Sequence, residues 1–250
     1  MRVLCKVSYD GSNYYGFQKQ NDRITIQSII EECLKKITKK EVNISASGRT
    51  DAHVHAYGQM FHFDTDLNMN EINWYNALNS LLPKDIRIKK VFFVEDGFHA
   101  RFSAEKKNYI YKINMGEYNL FEKDYISQVN KELNIDKLNE ASSLFVGTHD
   151  FKNFCANSDK EDDYIRTIYD IKILKKDNYL SISFIGTGFK RYMIRMLVGT
   201  LLEYEKGRID LNYIKNRLDV LEFNNTQYNA APEGLYLNKV YYGRSDIDEG

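Results

Sequence analysis

Two prolines and three cysteines in 250 residues leave this chain short of the residues that punctuate or staple a fold. Cys5, Cys33 and Cys155 are odd in number, far apart and in no Cys-x-x-Cys spacing. That excludes a disulfide framework or zinc ribbon and points to a reducing compartment. No Gly/Ser/Pro-rich linker divides the chain. The polar stretch 118–136 is the softest place for a boundary, so two domains are expected, 1–117 and 118–250. No run of about 18 apolar residues is present, which argues against a membrane-spanning helix. The chain opens without the basic start and apolar run of a signal peptide, so a cytoplasmic protein is expected. Charge of one sign is missing too: 35 Lys and Arg balance 35 Asp and Glu. A neutral balance argues against a phosphate-rich partner unless the charge is segregated. Segregation is visible. Lys35, Lys36, Lys39 and Lys40 cluster at a helix end, where cations suit the dipole. Arg101, Lys106 and Lys107 form a second cluster and Lys190, Arg191 and Arg195 a third, whereas acids gather at 159–163 and at the C-terminal end.

What is present is an ordinary globular composition, 43% hydrophobic and 28% charged, enough for a substantial core. The 19 tyrosines and 14 phenylalanines are mostly core by default, although exposed aromatics can stack on bases. Alternation of Val3, Cys5, Val7 and Tyr9 predicts a strand over 2–9. Ile26, Ile29, Ile30, Cys33, Leu34 and Ile37 follow helical spacing behind Thr25 as N-cap, which puts Cys33 in the core. Asn70 is placed to cap a second helix that Pro83 stops. Strands are expected at 86–94 and 108–115. Asp136 is expected to cap a helix through Leu138, Ala141 and Phe145. Strands at 164–174 and 179–184, helices at 191–203 and 211–221 and a strand at 235–242 complete the pattern. No residue-level repeat is evident.

The most informative segment is Gly48-Arg49-Thr50-Asp51-Ala52-His53-Val54-His55-Ala56-Tyr57, a polar loop between strand-like runs at 42–46 and 59–64. It sets one carboxylate between an arginine and two histidines at a sheet edge, where binding and catalytic groups concentrate. By spacing alone Asp51 also reads as a turn or cap aspartate. Six further blocks occur in order: Tyr9-Asp10-Gly11-Ser12-Asn13-Tyr14-Tyr15-Gly16-Phe17-Gln18; Phe98-His99-Ala100-Arg101-Phe102-Ser103-Ala104, followed by Tyr109-Ile110-Tyr111; Gly147-Thr148-His149-Asp150-Phe151; Arg166-Thr167-Ile168; 189–199; and Ala231-Pro232-Glu233-Gly234-Leu235-Tyr236-Leu237. Together they resemble the TruA family of tRNA pseudouridine synthases over nearly the whole chain. His53 departs from that family's pattern, which has glycine there. Glycine would permit a positive φ; histidine follows only with strain, unless the loop takes an ordinary conformation. Its ring is then either an exposed bystander or a group that touches RNA.

The resemblance implies an α+β fold of two similar halves, each a mainly antiparallel sheet with helices packed on it, around a central RNA-binding cleft. It implies isomerisation of uridine to pseudouridine in tRNA, at positions 38, 39 and 40 of the anticodon stem-loop, by a homodimer. Breaking the C1′–N1 bond, turning the base and rejoining it through C5 involves no redox change and no net addition of water. No cofactor is therefore expected. The chemistry needs a carboxylate as nucleophile or base, and the resemblance puts that role on Asp51. Arg49, two residues away, can hold a carboxylate ionised, stack on a base or fill the gap of a flipped one, or else make a surface ion pair of little worth. The resemblance places Tyr109 against the target base, where a bland reading makes it a core aromatic of a strand. It places Arg195 opposite the catalytic carboxylate. A snorkelling arginine on an amphipathic helix is the alternative. Arg101 is expected to contact RNA from its block.

A rival from another class rests on Asp51-x-His53-x-His55, with His62 nearby. Alternate strand residues can present two imidazoles to zinc, which would make a metal-dependent hydrolase. The remaining histidines, His99 and His149, supply no metal spacing, and no metal is the expectation. A third reading is an RNA-binding module without catalysis.

Overall fold

A computed structural model describes residues 1–156, 163–219 and 225–248. In chain order its strands are β1 (Arg2–Tyr9), β2 (Ser45–Ala46), β3 (His55–Asp64), β4 (Ile86–Val94), β5 (Lys106–Asn114), β6 (Ser127–Gln128), β7 (Gly147–Asp150), β8 (Ile165–Lys176), β9 (Tyr179–Gly186) and β10 (Leu235–Tyr241). The helices are α1 (Ile26–Thr38), α2 (Glu71–Leu81), α3 (Ile135–Ser143), α4 (Met193–Glu205), α5 (Leu211–Asp219) and the short α6 (Ser245–Asp248). They fall into two compact units, Met1–Lys107 with Tyr236–Gly250, and Asn108–Leu235. Each is a mainly antiparallel sheet with helices, the α+β architecture expected.

In the first unit the strand order is β4-β1-β3-β10, with β2 on β3. β1 runs antiparallel to both β3 and β4, and β10 runs parallel to β3. The period of two along β1 sends Val3, Cys5, Val7 and Tyr9 into the core. Ile26, Ile30 and Leu34 of α1 and Trp74 and Leu78 of α2 are buried as their helical spacing requires. Trp74 meets Phe63 of β3 edge to face at 5.1 Å. Full burial of each Leu, Ile or Val here stabilises by about 1.5–3 kcal/mol. Cys33 is buried on α1 as expected, and Cys5, Cys33 and Cys155 are all free thiols. Thr25 caps α1 with a reciprocal pair: its Oγ1 accepts from Ser28 N at 3.2 Å and Ser28 Oγ accepts from Thr25 N at 3.1 Å. Asn70 caps α2 by accepting from Asn73 N at 2.9 Å. Leu82 ends that helix in an extended conformation, as a residue before proline must.

In the second unit the order is β5-β9-β8-β7, with β6 on β5. β8 and β9 form a hairpin whose turn begins at Asp177 with φ 53°. Phe145, Phe151 and Phe154 build an aromatic core beside Leu138 and Ala141 of α3.

Several elements differ from expectation. The boundary expected near 118 falls inside the second unit, which starts at Asn108 and ends as the chain returns to β10. The polar stretch is tied down by Asn114 Nδ2, which donates to Gln128 Oε1 at 2.8 Å and to Glu117 O at 2.7 Å. Asn134, not Asp136, caps α3 by accepting from Lys137 N at 3.1 Å. Asp136 lies in the first turn, where its charge suits the dipole. α4 starts two residues late because Tyr192 takes φ 63°. The strand-like run at 42–46 shortens to β2. The acidic run 159–163 lies outside the described residues except for Asp163, as do positions 220–221 at the end of the helix after Leu211. Among the described residues no helix is long and apolar enough to cross a membrane.

Candidate active site

Residues 47–54 leave β2 and enter β3 as a loop braced from behind by buried polar side chains. Ser47 Oγ donates to Gln59 Oε1 at 2.6 Å, and Gln59 Nε2 donates to Gly48 O at 2.9 Å. Lys107 Nζ donates to Ser47 O. Tyr9 OH and Thr50 Oγ1 are hydrogen-bonded at 2.8 Å. Ser47, Thr50 and Gln59 are all buried, and a buried polar group costs free energy unless it is satisfied, so these bonds lock one loop conformation. Beyond Thr50 the chain makes a tight turn in which Val54 N donates to Asp51 O at 3.2 Å. Asp51 is half-buried and Arg49 exposed.

The 10–17 segment lies directly on this turn. A Cβ on Gly11 would sit 2.1 Å from Val54 O, and one on Gly16, which has φ 88°, would sit 2.7 Å from Thr50 O. Only glycine permits backbone to approach backbone so closely. Phe17 N donates to Thr50 O at 3.0 Å and His53 N to Tyr14 O at 3.3 Å. Two of the ordered sequence blocks thus form one structure.

His53 takes φ 65°, the conformation glycine would have supplied. Its strain of about 1 kcal/mol is offset by a bond from its Nδ1 to Ser12 O at 2.7 Å, so the ring is no bystander. His55 is buried and its Nδ1 accepts from Gly11 N at 3.1 Å; its ring stacks on Tyr236 at 4.6 Å, and Tyr236 stacks on Tyr57 at 4.9 Å. The rival metal reading of Asp51, His53 and His55 gains nothing from this arrangement, in which the two Nδ1 atoms serve backbone groups. Among the described residues no group of three or more His, Cys, Asp or Glu is placed to hold a metal.

Arg101 also belongs to the first unit. Its block is anchored by Tyr242 OH, which donates to Ala100 O at 2.8 Å, and by His62 Nδ1, which accepts from Ala100 N at 3.1 Å. Burial, with His99 and Arg2 nearby, holds the His62 pKa down at about 4. The anchoring leaves Arg101 exposed with its guanidinium 5.6 Å from the Phe102 ring centroid. Three of the four helix-end lysines are paired instead: Lys35 with Glu41, Lys36 with Glu32 and Lys40 with Asp66.

Tyr109 and Arg195 belong to the second unit. Tyr109, on β5, is 7% exposed and meets Phe189 edge to face at 5.4 Å. Tyr111 is fully buried; its hydroxyl donates to Ala231 O at 2.8 Å, a structural role. Arg195 is half-buried on α4, with Nε donating to Ala230 O at 2.7 Å and its guanidinium 5.1 Å from the Tyr192 ring. Ala230 N returns a bond to Arg195 O at 2.9 Å.

The bracing roles of Ser47, Gln59, Thr50 and Tyr9 do not follow from the sequence, although Thr50 and Tyr9 lie in the blocks that carry the resemblance. Their signal is three-dimensional: nothing in an alternating strand marks Gln59 as buried. The glycines at 11 and 16 were the available hint of close backbone approach.

A family model described as tRNA pseudouridine synthase matches residues 6–103 and 141–243. The chain belongs to the tRNA pseudouridine synthase family. It is 41% identical over 243 residues to tRNA pseudouridine synthase A of Geobacillus sp. (strain WCH70), covering 96% of this chain and 98% of that protein. It is 38% identical over 248 residues to tRNA pseudouridine synthase A of Staphylococcus aureus (strain MRSA252), covering 99% of this chain and 94% of that protein. A solved Cbf5-Nop10-Gar1 complex covers 80% of the chain and 54% of the solved chain at a TM-score of 0.37 and 12% identity, too slight a likeness to bear on fold or function. Within this tRNA pseudouridine synthase, Arg49, Asp51, Arg101 and Arg195 fall in the matched segments and Tyr109 falls between them.

Proposed function

We propose that this tRNA pseudouridine synthase isomerises uridine at positions 38, 39 and 40 of the anticodon stem-loop, with Asp51 as the reacting carboxylate. The observation that carries this reading is the braced turn that holds Asp51 half-buried, packed against the 10–17 block. Isomerisation detaches uracil at C1′–N1, turns it and rejoins it through C5. A carboxylate fixed on a rigid turn can attack or deprotonate without first being ordered. Arg49, beside it and exposed, is suited to stack on a base or to occupy the place of a flipped one.

In this reading Arg195 is a substrate- or RNA-binding cation, and Tyr109 offers the target base an aromatic face. Support for the pair is local: Phe189 fixes the Tyr109 ring, and Ala230 orients the Arg195 side chain. Arg101 contributes a backbone contact, which positions RNA without reading sequence. The enzyme acts in the cytoplasm as a homodimer and uses no cofactor. Incubation with an unmodified tRNA followed by pseudouridine mapping tests the assignment. Pseudouridine at any of positions 38–40 supports it; modification confined to other sites, or binding without isomerisation, overturns it.

A further inference from the structure

The Asp51-x-His53-x-His55 spacing has a use other than metal binding. We propose that His53 and His55 are positioning residues, a two-sided clamp of opposite tautomers that holds segment 10–12 against the turn carrying Asp51.

The clamp reads two adjacent residues of that segment. His53 Nδ1 lies 2.7 Å from Ser12 O. A carbonyl only accepts, so the proton is on Nδ1. His55 Nδ1 lies 3.1 Å from Gly11 N, and a backbone N–H only donates, so this Nδ1 is a lone pair and the proton is on Nε2. The segment they grip is itself stiff: Asp10 Oδ1 accepts from Ser12 N at 2.9 Å and from Ser12 Oγ at 2.6 Å. Asp10 Oδ1 is also 3.3 Å from His55 Nδ1. A doubly protonated His55 would bond that carboxylate but point a proton at the Gly11 N–H, two donors facing each other.

The two rings divide the work. His55 is buried on the first residue of β3 and stacked 19° from parallel to Tyr236, so it cannot swing. His53 is exposed and sits on the turn itself, two residues after Asp51. A positive φ aims its short reach back at Ser12. Because Gly11 already touches Val54 at backbone distance, any slip of segment 10–12 would move the turn.

This inference rests on Asp51 being the reacting carboxylate, and its test separates the two. Nitrogen-15 NMR of the imidazoles at pH 8 should show the Nδ1–H tautomer for His53 and the Nε2–H tautomer for His55, in the absence of RNA. His53→Gly keeps the turn conformation without the donor. His53→Asn keeps a donor at the same position along the side chain and tolerates the same φ. Loss of one neutral hydrogen bond is worth roughly 2- to 12-fold. His53→Gly should therefore slow the single-turnover rate by about that factor while tRNA Kd stays within about twofold, and His53→Asn should recover most of the rate. An Nε2–H tautomer at His53, a doubly protonated His55, a wild-type rate in His53→Gly, or an Asn variant as slow as Gly would each overturn the clamp. If the unaltered protein makes no pseudouridine, the catalytic reading fails while the tautomers still report on the clamp.

Discussion

Tyr9 and Thr50 meet hydroxyl to hydroxyl at 2.8 Å, closed off from solvent, one residue before Asp51. The contact joins the end of β1 to the loop that carries the carboxylate. Burial raises the Tyr9 pKa, so the phenol stays protonated and able to hydrogen-bond. Tyr9→Phe removes one partner and leaves the Thr50 hydroxyl buried. It should destabilise the fold by about 1–2 kcal/mol, read by denaturant midpoint, and slow isomerisation as the loop loosens. A variant equal to wild type in both would show that the contact holds nothing.

Gly11→Ala should be far more damaging. Its Cβ would stand 2.1 Å from Val54 O, so the two backbones must separate. Gly16→Ala adds strain at φ 88° to a 2.7 Å contact with Thr50 O. Both variants should fall well below Tyr9→Phe in activity. Gly97→Ala, where a Cβ meets nothing within 4 Å, is the control. Equal activity of the Gly11 and Gly97 variants would contradict the close approach.

His62 makes stability depend on pH. Its folded pKa of about 4 lies below the ordinary 6.5, chiefly because it is buried. As pH falls the unfolded chain binds the proton first. Stability is therefore full above about pH 6.5, declines between 6.5 and 4, and levels off below that, a change on the order of 3 kcal/mol if the whole shift is realised. His62→Asn, which can still accept from Ala100 N, should flatten that window when urea midpoints are compared at pH 7 and 4.5. The same loss in both proteins would place the proton uptake elsewhere.

Much of this was legible in the sequence where local rules govern. The caps at Thr25 and Asn70 and the stop at Pro83 follow from side-chain and backbone chemistry within a few residues. Asn134 displaced Asp136 because either residue can cap, and backbone geometry chooses. The signature loop stood out by residue type. Its bracing did not, because the bond from Tyr9 to Thr50 spans 41 residues and no periodicity records it. The histidine spacing left a metal rival open for a related reason: spacing along a strand says nothing about which backbone groups lie opposite. The start of the second unit inside β5 was hidden because a polar stretch looks like a linker until Asn114 and Gln128 are seen to knit it.

Binding of tRNA should weaken steeply as salt rises despite the neutral net charge. Arg101→Gln should lower affinity across tRNA sequences and reduce the salt slope by about one. Lys36→Gln should do neither, because Lys36 is already paired with Glu32 at 2.8 Å. Titrations at several salt concentrations check this; equal effects of the two substitutions would contradict a localised RNA surface.

Asp51→Asn is the most direct measurement. The amide keeps the size and most of the hydrogen bonding of the carboxylate but can neither attack nor take a proton. Pseudouridine in the anticodon stem-loop should be undetectable with this variant at times when wild type has finished. Its tRNA affinity should stay near wild type, because phosphate contacts supply most of the binding. Sustained isomerisation by Asp51→Asn, verified free of deamidated protein, would contradict the account.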